Sequence, residues 1–344
     1  MITKFKSLAP GFALVLAIAL VSRILHGVLP QAARAVMGEV IIALLIGLII
    51  SNMKHLSPVL RPGIDFSFKV ILKWAIVLLG AKFSLQKVAE IGGSSLLLIL
   101  VLIALALSIA HFLGKMLGIS PKLATLIGVG TAICGNTAIT VTAPVIQAKD
   151  EEVSFAIATN TFFGTVAVFF YPILGHMLGL SDDFFGTWAG VAVNDTSQVV
   201  AAGFSYSEAA GELATAVKLT RNALMGFVIV AIGFAHSKGH PDWGDMSMFA
   251  KMKKSVPFFV IGFMIMAVLN TLGVFNILAD ALGRPILKDF TFAAKFMILL
   301  ALAGVGLNTR FDNMRKIGLT PFFIGLAAAT TTAVVSFFAI RMFW

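Results

Sequence analysis

Apolar runs of about 18 to 25 residues recur from one end of this chain to the other, each long enough to cross roughly 30 Å of hydrocarbon. They lie near 10–29, 36–53, 66–83, 93–114, 122–147, 153–178, 185–204, 208–235, 256–279, 290–308 and 317–341. One water-soluble core cannot hide them. Of the 344 residues, 59% are hydrophobic before 31 glycines are counted, and 12% are charged, where a soluble domain carries about 25%. The expected fold is an all-α polytopic membrane protein with about eleven membrane segments, at about 30 residues per span and loop. That excludes a soluble enzyme, a nucleic-acid binder and a secreted disulfide scaffold. The formal charge of +10 then reflects basic cytoplasmic loops, not a nucleic-acid partner. The single cysteine, Cys134, rules out an internal disulfide and a cysteine-based zinc site. Residues 1–10 lead into a full-length span without a small-residue cleavage site, so they read as the first helix, not a removed signal peptide. The longest polar connection, His236 to Lys254, is too short to fold alone. Residues 1–344 are expected to form a single transmembrane domain.

Basic residues set the orientation. Lys4 and Lys6, then Lys54, Arg61, Lys69 and Lys73, then Lys115 and Lys122, then Lys238, Lys251, Lys253 and Lys254, then Arg310, Arg315 and Lys316 all fall on one side if the chain starts in the cytoplasm. The other side carries fewer: Arg34 with Glu39, Lys82 and Lys87 with Glu90, then Glu208 and Glu212. The N-terminus is expected inside and the C-terminus outside. A faint echo, Leu79-Gly80-Ala81 leading to Ile91-Gly92 and Val305-Gly306-Leu307 leading to Ile317-Gly318, pairs segments three and four with ten and eleven. An odd number of crossings lies between, so the copies would be inverted repeats, as in many secondary transporters. The alternative is that Gly and Ile are common in membrane helices.

Two segments break the apolar pattern. Segment five contains Gly128, Gly130, Thr131, Cys134, Gly135, Asn136, Thr137 and Thr140. Close glycines weaken a helix, and irregular backbone at membrane depth needs protein or a watery cavity to satisfy its polar groups. An unwound stretch facing a substrate is one reading; small-residue helix packing is the other. Segment seven carries five consecutive polar residues, Asn194, Asp195, Thr196, Ser197 and Gln198, inside an apolar run. A carboxylate at mid-bilayer depth costs about 2.5–3.5 kcal/mol even on the lenient insertion scale, which makes an intramembrane acid a functional-site candidate. The bland reading is a loop between two short helices. In segment eight, Lys218, Arg221 and Asn222 share one helical face. They could pair with Asp195, bind an anion, or snorkel from a helix end. Two cations against one acid suit an anionic cargo.

At these residues the sequence resembles the sulfate exporter family of bacterial membrane proteins, within the wider cation/proton antiporter and anion transporter group. The carrying elements are Ile133-Cys134-Gly135-Asn136 followed by Ala143-Pro144-Val145-Ile146, Val199-Val200-Ala201-Ala202-Gly203, and Lys218-Leu219-Thr220-Arg221-Asn222. The resemblance covers nearly the whole chain. Many relatives carry a His-Glu pair where this chain has Asn194-Asp195, so a His-assisted proton relay is not carried over. The resemblance implies a bacterial inner-membrane location, export of sulfate, sulfite or an organosulfonate, and discontinuous segments meeting at the midplane. Segments five and seven would either cross the membrane or turn back as re-entrant hairpins with tips at 133–137 and 194–198. Both choices agree with the charge bias.

The first functional expectation is a secondary transporter exporting a small anion, driven by a proton or sodium gradient. Gly130, Thr131, Cys134, Gly135, Asn136, Thr137, Asn194, Thr196, Ser197, Gln198 and Asn222 would line the anion. Lys218 and Arg221 would supply positive charge, and Asp195 would take up a proton or balance a cation. No nucleotide-binding loop is present, no cofactor is implied, and a bound metal is not expected apart from Na⁺ near Asp195. The alternatives are a cation/proton antiporter using Asp195 and a passive anion channel. An intramembrane enzyme would need paired acids, a His cluster or a Ser/His arrangement, and the chain is not read as one. The assembly is open, with a homodimer among its forms.

Overall fold

A computed structural model describes residues 2–30, 38–53, 56–236, 257–309 and 319–343. Those residues are helical and contain no strand. The basic residues Arg34, Lys54, Lys238, Lys251, Lys253, Lys254, Arg310, Arg315 and Lys316, and the Ile317-Gly318 end of the echo, lie outside them.

Chain order runs α1 (Ile2–Val28), α2 (Glu39–Met53), α3 (Arg61–Phe66), a π-helical turn at Ser67–Ile71, α4 (Leu72–Leu79) and α5 (Leu85–Met116). Then come α6 (Pro121–Ala132), α7 (Asn136–Val145), α8 (Asp150–Met177), α9 (Asp182–Ala192), α10 (Thr196–Tyr206), α11 (Glu208–Ala223) and α12 (Met225–His236). The last are α13 (Phe258–Thr271), α14 (Val274–Leu282), α15 (Ile286–Asn308) and α16 (Leu319–Phe343).

Among the described residues, six helices are long and apolar enough to span a membrane, or seven if α13 and α14, bent by 69°, form one. This corrects the expected eleven, and the shortfall has local causes. The 15 residues of α2 reach only about 22 Å. Segment three is split by its π turn and by a 3₁₀ turn at Gly80–Lys82. Segments five and seven each fold back on themselves.

The chain divides into two compact units, Met1–Glu90 with Phe204–Glu208 and Ile261–Phe311, and Ile91–Gly203 with Ala209–Val260 and Asp312–Trp344. In the first, Val15, Ile18, Ala19, Ala43, Ile64, Leu299, Leu300, Ala303 and Leu307 form the core. Glycines bring α2 and α15 into backbone contact. A Cβ on Gly47 would sit 2.7 Å from the Ala303 carbonyl, and one on Gly306 would strike the Leu44 carbonyl. Lipid offers helices no hydrophobic drive to associate, so this close approach supplies the packing. Gly306→Val should therefore cost about 1–3 kcal/mol by overpacking. Thermal unfolding of the purified protein reads it; an unchanged midpoint would mean that the two helices separate freely.

In the second unit, Ser120 caps α6, accepting from the Lys122 amide at 3.2 Å. The chain turns at Ile133–Gly135 and returns as α7. Lys122 Nζ donates to the Gln147 carbonyl at 2.6 Å. A straight helix would hold those residues about 37 Å apart. The pair is a hairpin. Segment seven behaves alike: Cβ atoms built on Gly186 of α9 and Gly203 of α10 would lie 2.9 and 3.3 Å from the same Ala210 carbonyl, so those two arms also begin and end together.

Helix α8, 28 residues or about 42 Å long, relates the two hairpins. It starts three residues past Gln147, where the α6/α7 arms meet. Its middle residues Asn160, Thr161 and Thr165 bond to both tips. Beyond them Tyr171 stacks on Trp188 of α9, with ring centroids 4.3 Å apart and planes 5° from parallel. One hairpin lies along the first half of α8 and the other along the second. Their tips meet at its middle.

Candidate functional site

Where the chain turns, four backbone ends point at one place: the C-terminal ends of α6 and α9 and the N-terminal ends of α7 and α10. A helix end leaves four backbone groups without intrahelical partners, and its dipole puts about half a positive charge at the N-terminus and half a negative charge at the C-terminus. The sequence between the helices answers both.

At the C-terminal ends the partners come from α11. Arg221 Nε donates to the Ala132 carbonyl at 2.5 Å, Nη1 to the Val191 carbonyl at 2.6 Å, and Nη2 to the Thr131 carbonyl. Lys218 Nζ donates to the carbonyls of Val193 at 2.9 Å and Asn194 at 2.5 Å. The other two open carbonyls of α6, Val129 and Gly130, accept from the amides of Ile133 and Gly135. All four are thereby satisfied. The two cations are 0% and 1% exposed, which excludes snorkelling, and among the described residues neither forms an ion pair with Asp195. The structure thus gives Lys218 and Arg221 a use absent from the sequence reading: they discharge the negative ends of two half-helices.

At the N-terminal ends the partner is Asp195. Its Oδ1 accepts from the Ser197 amide at 2.9 Å and the Ser197 hydroxyl at 2.7 Å, and its Oδ2 accepts from the Asn136 amide at 3.3 Å. One carboxylate therefore caps both α7 and α10. The approach requires glycine at 135. Its φ of +72° is a left-handed value, and a Cβ there would lie 2.8 Å from Asp195 Cα.

Around this contact, Asn136 Nδ2 donates to Thr161 Oγ1 at 3.1 Å, and Asn160 Nδ2 donates to Asn136 Oδ1 at 2.9 Å. Gln198 Nε2 donates to the Thr161 carbonyl at 3.1 Å. Asn222 Nδ2 donates to Thr196 Oγ1 at 3.1 Å. The acceptors Asn160 Oδ1, Gln198 Oε1 and Asn222 Oδ1 are buried without a partner. Asn136, Asp195, Ser197 and Thr161 are half-buried, and Thr137 is exposed.

Of the residues singled out from sequence, Gly135, Asn136, Asn194, Asp195, Thr196, Ser197, Gln198, Lys218, Arg221 and Asn222 come together here, with Thr131 joining through its carbonyl. Gly130 joins in the same way while its Cα packs on Ile139, and the Cys134 thiol turns to the Met225 sulfur, 3.3 Å away. Asn160, Thr161 and Thr165 were missed. Their signal was a polar doublet in the middle of a long apolar helix, the pattern that marked segment seven.

A cavity of about 580 Å³ opens between α8, α9 and α16. Phe162, Phe170, Trp188, Phe322 and Phe337 line it, and Asp195 does not. It carries no chemistry for a charged ligand.

The profile of the family described as Conserved hypothetical protein 698 matches residues 10–325. The chain belongs to this family. Similar proteins include a UPF0324 membrane protein of Clostridium tetani, 32% identical over 96% of each chain. Another, from Streptococcus agalactiae, is 35% identical over 96% of each. A third, from Agrobacterium fabrum, is 35% identical over 83% of this chain and 79% of its own. The relatives are named membrane proteins, and the apolar helices agree: this is a multi-pass, all-helical membrane protein.

Proposed function

We propose that the chain is a secondary transporter that exports a small oxyanion, of the sulfate, sulfite or organosulfonate class, across the bacterial inner membrane. In this reading residues 1–344 act as one transport domain, with the N-terminus cytoplasmic. The two hairpins enter from opposite faces as inverted counterparts, and transport is coupled to a proton or sodium gradient. One observation carries it: two helix N-termini meet halfway along a membrane-spanning helix, while the opposing C-terminal ends are already neutralised by Lys218 and Arg221. Two cations and two N-termini then stand against two C-termini and the single carboxylate of Asp195, which leaves positive potential in excess, the arrangement that binds anionic groups in broken-helix transporters. Asn136, Thr161 and Ser197 supply neutral polar contacts beside it.

A second reading is favoured by Asp195, an acid without a cationic side-chain partner among the described residues. It could serve as the ligand of Na⁺ or H⁺ in a cation/proton antiporter. Neither reading assigns the site a bond-breaking step, and we treat the protein as a transporter, not an enzyme.

The test is radiolabelled sulfate and sulfonate flux in proteoliposomes, with and without pH and Na⁺ gradients. Saturable anion flux that follows a gradient is the expected result. Na⁺ or H⁺ exchange without any anion requirement would replace the anion reading with the cation one, and flux that never saturates would indicate a channel.

A further inference from the structure

A second charged cleft lies in the other unit, where the apolar run of α15 begins. Lys82, Leu287, Lys288, Thr291, Phe292 and Lys295 line a cavity of about 360 Å³. Positions 288, 291, 292 and 295 recur at helical spacing and so share one face of α15. Lys288 to Lys295 covers about 10 Å along the helix axis, which places Lys295 two turns inside an apolar span.

Glu208 organises the cleft. Its Oε2 lies 2.6 Å from Lys295 Nζ and its Oε1 3.4 Å from Lys82 Nζ, so one carboxylate holds two ammonium groups side by side. Lys288 adds a third ammonium group to the cleft. Leu287 and the exposed ring of Phe292 form an apolar wall, and Arg23 stands 5.5 Å from the centre of that ring. Cations strung inward from the start of a membrane-spanning helix are costly unless something pairs with them.

We propose that this cleft binds a phosphate-type oxyanion presented by the headgroup of an anionic phospholipid, with Lys82, Lys288 and Lys295 around the phosphate and the acyl chain against Leu287 and Phe292. The combination selects an amphiphile. A soluble anion would have no use for the apolar wall, and a zwitterionic lipid would bring its own cation against the lysines. Basic pockets between membrane helices recognise anionic headgroups on this principle. The site is independent of the transport reading, because it shares no residue with the hairpin tips.

Native mass spectrometry of the full chain, loaded with phosphatidylglycerol or phosphatidylcholine, tests it. One phosphatidylglycerol should be retained in preference, and Lys288→Gln should lower that preference by about fivefold. Lys69→Gln, which breaks the exposed Lys69–Asp65 pair of 2.7 Å elsewhere, should leave it unchanged and so control for the loss of a lysine. Excess inorganic phosphate should not displace the lipid. Displacement by phosphate would overturn the lipid assignment in favour of a soluble oxyanion. Equal retention of the two lipids, or a preference indifferent to Lys288→Gln, would overturn the site.

Discussion

Arg221→Met should destabilise the protein by about 3–5 kcal/mol, the largest effect expected of any single substitution at the hairpin tips. The guanidinium serves the carbonyls of Thr131, Ala132 and Val191 at once, and methionine serves none. Each buried carbonyl left without a donor costs about 1–3 kcal/mol. Part of that is offset because an expensive buried charge is also removed. Arg221→Lys should fall between, since a compact ammonium cannot reproduce a planar fork spread over two hairpins. The arginine ties the end of α6 to the end of α9, so losing it frees the tips to separate. Anion flux should fall further than stability alone dictates. Thermal unfolding of purified variants, set beside their flux, measures both. An Arg221→Met protein as stable as the native one would show that the carbonyls find other donors, and the account of the tips would be wrong.

The cations also show where a sequence stops being legible. Lys218, Arg221 and Asp195 stood out because charge inside an apolar run is costly. Their partners could not be read, because backbone carbonyls carry no side-chain signature. The hairpins are a similar case. Hydropathy measures how long a run is, not whether it turns, and 26 residues at 122–147 look alike crossing or doubling back. Gly135 was visible, but the contact that requires it, Asp195 in a different segment, arises only when both tips reach the middle of α8. Asn160 and Thr161 were legible by the rule that found segment seven; within a helix of good apolar length they were passed over. The all-helical membrane class followed from length and composition. The count of spans did not, because α2 is short and segment three is interrupted by tight and wide turns.

Asp195→Asn is expected to tighten anion binding and to uncouple flux from the gradient. In the native chain the carboxylate accepts from the amides of Asn136 and Ser197, and we propose that the anion uses those same amides. The two negative groups exclude each other. Asparagine brings no negative charge to compete with the anion, so the variant should bind sulfate at least about tenfold more tightly, and gradient-driven flux should drop by at least about tenfold. Asparagine can still accept from the Ser197 amide, but its Nδ2 then faces the Asn136 amide, which loses its acceptor, so stability should fall by about 1–3 kcal/mol. Lys218 and Arg221 are the charged groups that face Asp195 from α11, and Cys134 is the other ionisable side chain at the tips. Both cations are committed to carbonyls and stay in place in the variant. The measurement is sulfate affinity and gradient-driven flux in both proteins. An unchanged affinity would mean that the anion does not share the two amides with Asp195. Identical flux in both proteins would remove Asp195 from the transport cycle and leave it the smaller task of holding two helix ends together.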